Sequence, residues 1–501
     1  MNKLPIGIQT FKDIRESNQI YIDKTKEAFN LIENYKYVFL SRPRRFGKSL
    51  FLDTLKNIFE GKKELFQGLY IYDKYDFTKY PVIKIDWAGN FKTLESTQKT
   101  AKKILEENQE RLGIECKLDD DIAVCFRTLI QEAYKKYNQK VVILIDEYDK
   151  PILDNIENTE RALENRDFLR GIYIQLKAND EYIKFAFLTG ISKFSKASIF
   201  SGLNNLDDIS LTPEFGNICG YTQENIKNEF YEYSKKFDLE KVRVWYNGYY
   251  FLKDRIYNPY DILKLFKYKE FSNYWWESGT PYSLIELFKK NNYYIPELEN
   301  IKISNDILNT FEVDNIDLVS LLYQAGYLTI KNKEIDEFDD IIYTLKVPNK
   351  EVQKSLNSFL LREYLNINAN KEAARALLKA DLEKFEKELK VLFSSIAYNN
   401  YTKNNIEIYE GYYASIIYTY LASLGMELIP EDVTNKGRID LTIKFKDKIY
   451  IIEFKVDSDD ALKQIKEKKY YEKYLNENKD IYLIGINFKD RNISKLEWEK
   501  I

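Results

Sequence analysis

Short apolar runs alternate with amphipathic helical stretches over residues 1–210. Four runs stand out, at 37–40, 82–85, 141–145 and 185–188, the second broken only by Lys84. Strands apolar on both faces and separated by helices predict a parallel sheet covered on each side. Each run ends in polar or glycine-containing sequence, the strand end where such sheets place their ligands. From about 218 the strand signal fades. WYNGYYF (245–251), YNPYDIL (257–263) and YWWESGTPYSL (274–284) mix aromatic clusters with turns, which predicts a mostly helical lid or adaptor. Residues 350–395, with KEAARALLKADLEKFEKELKVLF, continue as a charged amphipathic connector.

The last hundred residues change character again. Their periodicity predicts helix 406–424, strands 426–433 and 438–445, a tight turn at Lys446-Asp447-Lys448, strand 449–456, helix 459–477 and strand 480–488. The expected organisation is therefore 1–215, 216–348, 349–395 and 396–501.

Composition narrows the chemistry. The chain has 501 residues and a formal net charge of −3, which excludes a uniformly basic nucleic-acid coat but not a local basic face. It contains no histidine, so serine–histidine and cysteine–histidine catalysis and His-ligated zinc are excluded together. The three cysteines, Cys116, Cys125 and Cys219, lack CxxC spacing and suit a reducing compartment. The first residues lack an apolar leader and no long uncharged apolar run follows, so a soluble, cytoplasmic protein is expected. The 41 tyrosines read as packing residues with a wet hydroxyl. Catalysis must rest on carboxylates, Lys, Arg, hydroxyls and a hard metal.

The segment VFLSRPRRFGKSLFLDTL (38–55) runs from strand through loop into helix. A polyphosphate needs backbone amides, a positive helix end, a lysine and a hydroxyl for Mg²⁺; Gly47, Lys48 and Ser49 at the helix start supply them. The pattern GxxxxGK[ST] asks for glycine at 42, where Arg42 stands, so a basic loop before a helix stays open for this motif alone. VVILIDEYDKP (141–151) adds a buried strand ending in Asp146 and Glu147. The first carboxylate can join a Mg²⁺ shell and the second can polarise a water toward a γ-phosphate. Together the two motifs predict ATP or GTP binding. A further strand ends in Thr189-Gly190-Ile191-Ser192, either a sensor of the γ-phosphate or an ordinary strand-end turn.

A second centre lies in GRIDLTIKFKDKIYIIEFKV (437–456). Glu453 and Lys455, two apart on a strand, share a face, and the tight turn can bring Asp440 beside them. Asp440 and Glu453 would hold a divalent metal, while Lys455 orients a water or offsets phosphate charge. A solvent-facing hairpin is the alternative, but these charges interrupt the apolar run IYIIEFKV. Lys463, Lys466 and Lys469 follow at helical spacing. Glu467 and Glu472 interleave, which favours a solvated face over a nucleic-acid contact.

These motifs, with LPIGIQTFKDIRE, YIDKT (21–25), LTGISKFSKASIFSGLNNLDDIS (188–210), WYNGY, YNPY and LLYQAGYLTI (321–330), resemble the bacterial AAA-ATPase-like proteins that carry a C-terminal PD-(D/E)xK nuclease domain. The resemblance spans nearly the whole chain. It implies an α/β fold: a P-loop NTPase (AAA-like) parallel-sheet domain, a mostly helical middle and a restriction-endonuclease-like C-terminal domain. The family loop also reads RPRRFGKS. The resemblance implies a nucleotide-binding set of Arg44, Arg45, Phe46, Gly47, Lys48, Ser49, Asp146 and Thr189, with Ser192 an alternative sensor to Thr189. Arg44 and Arg45 either touch the γ-phosphate or are solvated. Glu147 is the implied catalytic carboxylate of the ATPase.

For the nuclease the resemblance implies Asp440, Glu453 and Lys455 as catalytic, with Glu410 completing the metal site and Gln464 near the lysine. Ile439 replaces the motif proline. Relatives often carry Tyr-His where this chain has Tyr413-Ala414, which puts nuclease strength in question. The implied cofactors are ATP and Mg²⁺, with Mn²⁺ an alternative at the nuclease. The implied partner is nucleic acid, DNA in preference to RNA, with no membrane; assembly of identical copies is compatible with the sequence. The expected activity is an ATP-hydrolysing protein controlling DNA cleavage, in defence against mobile DNA. The alternative is a signalling or scaffold ATPase whose nuclease-like domain only binds nucleic acid or protein.

Overall fold

The four apolar runs become adjacent strands of one sheet in the computed structural model, which describes residues 2–114, 121–194, 199–200, 203, 205–277, 295–308, 313, 316–364, 370–395 and 410–501. They are β1 (Tyr37–Ser41), β2 (Val82–Asp86), β3 (Val141–Asp146) and β4 (Ile183–Gly190), with the two-residue β5 (Asp207–Asp208) at the edge beside β1. All pairings are parallel and the order is β2-β3-β4-β1-β5. β1 and β3 are buried along their whole length, because α1 (Lys48–Phe59), α2 (Leu94–Leu112), α3 (Ile122–Tyr137) and α4 (Thr159–Ala178) flank the sheet. Burial on both faces is why their sequences are continuous apolar runs instead of alternating ones. The register levels the strand ends, pairing Ser41 with Gly190 and Asp86 with Asp146. The loop after β1 and the carboxylates after β3 therefore rise from one edge, with the end of β4 between them.

The middle of the chain is mostly helical, as expected, including Leu239–Tyr246 and Pro259–Tyr268. A hairpin of Asn247–Tyr250 with Arg255–Tyr257 interrupts the helices. Its tyrosines pack: Tyr246, Tyr249 and Tyr257 are fully buried. Ile20 and Ile22 of the N-terminal segment join Phe230, Val242, Ile262 and Phe266 in one core, so that segment is part of this layer. The described chain divides into two compact units, Met1–Gly279 with Lys302–Thr344, and Thr280–Ile301 with Leu345–Ile501.

In the second unit α5 (Glu410–Ser423) precedes β6 (Glu427–Thr434), β7 (Gly437–Phe445), β8 (Lys448–Val456), α6 (Ala461–Lys468), β9 (Asp480–Lys489) and β10 (Asn492–Lys500). The strands lie in chain order; β8 and β9 are parallel and the other pairs antiparallel. α6 is the crossover that the parallel pair requires. Helix Lys350–Phe359 packs on α5 and helix Leu382–Ser394 packs on β10, so the connector stretch is built into this unit.

The middle also carries a three-stranded sheet of Ile301–Ser304, Ile341–Lys346 and Thr329–Ile335 that the fading strand signal did not predict, and two elements of the last hundred residues differ from expectation. The helix expected over 459–477 stops at Lys469, whose φ of +50° is left-handed, and continues as the 3₁₀ stretch Tyr470–Glu477. β10 escapes pattern reading because it is an edge strand: only Ile493 is buried in NISKLEWEK. The beginning of the expected helix 406–424, residues 396–409 of the last expected domain, Cys116, and parts of the 188–210 and 274–284 motifs lie outside the described residues. Cys125 and Cys219 are buried, and neither is in a disulfide among the described residues.

One close approach sets the second unit's geometry. A Cβ on Gly485 of β9 would stand 2.3 Å from the Leu462 amide nitrogen and 2.9 Å from its Cα, both backbone atoms of α6 that cannot swing aside. Glycine lets α6 lie directly on the strand beside β8. Gly485→Ala is expected to destabilise this unit by about 1–3 kcal/mol, the usual cost of overpacking, read as a lower denaturant midpoint at unchanged slope. An unshifted midpoint would show that the helix can lift without cost.

Candidate functional site

The nucleotide loop is held by residues that the glycine pattern does not contain. Arg42 turns inward and is 1% exposed. Its guanidinium donates to the carbonyls of Ser41 at 2.9 Å, Ser210 at 2.8 Å and Phe215 at 3.2 Å, and lies 3.9 Å over the Phe251 ring. Phe46 is fully buried, edge-on to Tyr249 at 4.7 Å. These two anchors fix both ends of the loop and leave Arg44 and Arg45 exposed between them. Arg45 sits 5.3 Å over Tyr260, and the Arg44 carbonyl accepts from Trp275 Nε1 at 3.2 Å. Gly47 has φ +95°, a conformation that other residues rarely adopt, and α1 begins at the next residue.

Lys48 is nearly buried and its Nζ donates to the carbonyls of Arg42 at 2.8 Å and Pro43 at 3.0 Å. Burial pulls its pKa down, while Asp146 pushes it back up. Asp146, 2% exposed, is raised by burial and lowered by its hydrogen bond to Ser49 and by Lys48. Glu147 is raised by burial and then by Asp146. Its φ of +52° puts a non-glycine residue in the left-handed region, a strain that clusters at functional sites.

A cavity of about 440 Å³, within the range of small-ligand sites, opens onto this group. Arg44, Arg45, Gly47, Lys48, Ser49 and Glu147 line it together with the apolar and aromatic Pro5, Ile8, Tyr221, Pro259, Tyr260 and Leu263. The structure thus brings Arg44–Ser49 and Glu147 to one cavity, with Asp146 bonded to Ser49 behind it.

The end of β4 is different. Thr189 is fully buried and its hydroxyl donates to the Leu40 carbonyl at 2.9 Å. The Ser192 hydroxyl donates to Asp149. Both candidate sensor hydroxyls are committed inside the fold. Sequence reasoning assigned no role to Asp149 or to the apolar lining from 5–8 and 259–263. Asp149's only signal was its place on the same acidic turn.

The second centre forms where β7 parts from β8. Their pairing ends at Leu441 with Ile452, and the next residue, Asp440, spends Oδ2 on the Phe454 amide at 2.8 Å. Glu453 is fully buried and accepts from Gln464 Nε2 of α6 at 2.9 Å. Its other oxygen, Oε1, is buried with no hydrogen-bond partner among the described residues. Burial and then the facing Asp440 push the Glu453 carboxyl up to about 9, and burial raises Asp440 as well. Lys455 Nζ stands 3.2 Å and 3.3 Å from the two oxygens of Glu410.

Asp440, Glu453, Lys455 and Gln464 therefore converge, and Glu410 reaches the group through the lysine. Among the described residues no three carboxylate or thiol groups gather as one metal shell, so Glu410 stands on Lys455 instead of beside the other two acids. An orphaned carboxylate oxygen beside a second, half-buried acid still fits a divalent cation held by Asp440 and Glu453, which would neutralise them. Ala414 lies one turn beyond Glu410, and Tyr413 is stacked 4.2 Å from Phe488 in the core. Lys463 pairs with Glu467 and Lys466 with Glu499, in keeping with a solvated face. Lys469 closes α6.

The raised carboxyl pair gives a pH prediction. The folded pair keeps a proton that the unfolded chain has already released. Its contribution to stability is therefore fully present below the ordinary carboxylate range and is lost as pH rises toward about 9. In EDTA the melting temperature of the wild-type protein is expected to fall over this window, and Glu453→Gln, which stays neutral, should flatten the fall. A wild-type profile with the same slope as the variant would show that the pair is ionised in the fold.

Two family models match the chain, one toward each end. Residues 5–200 match the model of a predicted AAA-ATPase, and residues 408–498 match the PD-(D/E)XK nuclease superfamily. A protein of Azotobacter chroococcum mcd 1, described as the uncharacterized protein in the vnfD 5′ region, is 42% identical over 498 residues, covering 97% of this chain and 96% of the relative. Among the described residues no helix is long and apolar enough to cross a membrane. With a parallel sheet carrying the GKS and DE motifs, and a second sheet carrying the Asp–Glu–Lys group, the chain belongs to the AAA-ATPase-like family whose members also carry a PD-(D/E)XK nuclease superfamily domain.

Proposed function

We propose that this protein binds and hydrolyses ATP and uses that cycle to control a metal-dependent nuclease acting on DNA, in the setting of defence against mobile DNA. The observation that carries the nuclease half is buried Glu453, with one unsatisfied oxygen, facing half-buried Asp440 next to Lys455. Two facing acids, one of them fully buried, share a single nearby ammonium that is itself paired with Glu410, an arrangement whose cost a bound divalent cation would remove. Such a cation would lower the pKa of a water and draw charge from the scissile phosphate. Gln464 fixes the orientation of Glu453, and Lys455, released from Glu410, can donate to a phosphate oxygen.

In the ATPase, Lys48 and the amides opening α1 would take the β- and γ-phosphates, and Ser49 with Asp146 would hold Mg²⁺. Glu147 would accept a proton from the attacking water. The aromatic and aliphatic part of the cavity lining suits a purine ring. Lys48→Ala is expected to abolish the thermal shift that ATP-Mg²⁺ gives the wild-type protein, since a bound ligand stabilises by mass action. Glu147→Gln should keep the shift and lose hydrolysis by about 10²-fold or more. An undiminished shift in the first variant, or wild-type turnover in the second, would overturn the assignment.

One observation favours the rival reading of a nuclease-like domain that only binds nucleic acid or protein: Glu410 is paired with Lys455, and alanine stands at position 414. Plasmid incubated with the purified full chain and Mg²⁺ or Mn²⁺, with and without ATP, separates the two. Cleavage that disappears in Asp440→Ala and Lys455→Ala, with ATP hydrolysis retained, is the expected result. Absence of cleavage in wild type under every condition, with the plasmid still retained, would establish the binding reading.

A further inference from the structure

The turn after β3 carries a third acid for which the nucleotide reading has no use. Asp149 is 1% exposed and borders the cavity that holds Lys48 and Glu147. Its Oδ2 accepts from three donors on the segment after β4: the Ile191 amide at 2.9 Å, the Ser192 amide at 2.6 Å and the Ser192 hydroxyl at 2.5 Å. Its Oδ1 lies against Gly190, where a Cβ would stand 2.5 Å away. The neighbouring Tyr148 repeats the attachment, its amide donating to the Thr189 carbonyl at 3.1 Å and its hydroxyl to the Ser192 carbonyl at 3.1 Å. Turn and strand end are one clasp, and its centre is a charge-assisted set of bonds in a buried place.

The clasp leads away from the nucleotide. The amide of Lys193, the next residue, donates to Gln324 Oε1 at 2.8 Å, and its ammonium pairs with Asp208 of β5 at 2.6 Å. Gln324 lies in helix Leu318–Ala325, and its side-chain amide donates to the Ser320 hydroxyl at 3.2 Å and the Leu308 carbonyl at 3.3 Å. A continuous path of buried hydrogen bonds thus runs from the acidic turn to a helix that does not line the cavity.

We propose that Asp149 is a positioning residue that holds Glu147 in its strained conformation and couples the state of the nucleotide site to helix Leu318–Ala325. The inference rests on the ATPase reading above. A left-handed Glu147 persists only where its surroundings over-determine it, and Asp149, two residues on, anchors the turn to β4. When a nucleotide shifts that turn, Ile191 and Ser192 shift with it, because leaving three donors unpaired in a buried place costs more than moving them. Lys193 and Gln324 follow through their shared bond.

The test uses the full chain with ATP and Mg²⁺, reading nucleotide affinity, kcat and hydrogen–deuterium exchange of residues 42–49 and 318–325. In wild type, ATP is expected to protect both segments. Asp149→Ala should bind ATP within about 3-fold of wild type yet lose about 10-fold or more in kcat, the scale on which small misplacements act. It should keep protection of 42–49 and lose that of 318–325. Asp149→Asn, which retains an acceptor at Oδ2, should recover much of both losses, and Ser192→Ala, which removes one bond of three, should fall between. If Asp149→Ala does not fold, the order wild type, Asp149→Asn and Ser192→Ala carries the comparison. Unchanged kcat and unchanged protection of 318–325 in these variants overturn the proposal while leaving the ATPase reading intact. A wild-type protein that binds no ATP overturns both.

Discussion

Charge withdrawn from water is the constraint around which both sites are built. An isolated buried carboxylate or ammonium costs several kcal/mol, so each one must be matched by donors, an opposite charge or a ligand. In the first unit the matching is nearly complete. Lys48 spends its protons on loop carbonyls, Asp146 takes the Ser49 hydroxyl, and Asp149 takes three donors. Because Ser49 reaches Asp146 from the loop after β1, and the Asp149 donors come from the end of β4, the two acids fix how the strand ends sit relative to one another. The strand order makes this affordable: β4 between β1 and β3 supplies backbone amides to the acids on one side and a hydroxyl to the β1 carbonyl on the other.

The second unit leaves the matching unfinished. Gln464 satisfies one oxygen of Glu453 and the Phe454 amide satisfies one of Asp440, but the carboxyl groups still face each other. Burial then favours keeping a proton on the pair. The nearest cation, Lys455, is turned to Glu410. A site whose electrostatics are incomplete in the protein alone is one in which a cation can change protonation, lysine orientation and water access together. The contrast with the first unit is physical: there the protein's own groups close the circuit, here they stop one charge short.

Much of this was legible in the residues. The four long strands of the first sheet were read to within a residue or two at most ends, since burial leaves short, largely apolar runs bounded by polar residues. Glu453 and Lys455 stood out for the opposite reason, as charges interrupting such a signature, and the tight turn pointed to Asp440 beside them. What escaped was whatever depends on direction instead of type. Thr189 and Ser192 have the chemistry of sensors, yet their hydroxyls point into the fold, and no spacing rule encodes that. β10 escaped because an edge strand need not alternate, and the break at Lys469 because a left-handed lysine carries no sequence mark.

Arg42 shows why a broken motif can describe an intact site. The pattern asks for glycine there so that the backbone can turn without a side chain in the way. This chain meets the same need by sending the side chain backward, where its guanidinium donates to three carbonyls and covers the Phe251 ring. The loop is then tethered to the segment at 210–215 and to the hairpin, neither of which a glycine could reach. Phe46 adds a second tether to the same hairpin through Tyr249. A glycine loop owes its shape to local backbone freedom; this one owes it to tertiary contacts, and so its conformation is bound to the packing of the middle region. Any movement of that region reaches Lys48 through two buried side chains, which makes the departure from the pattern a coupling element as well as a substitute for flexibility.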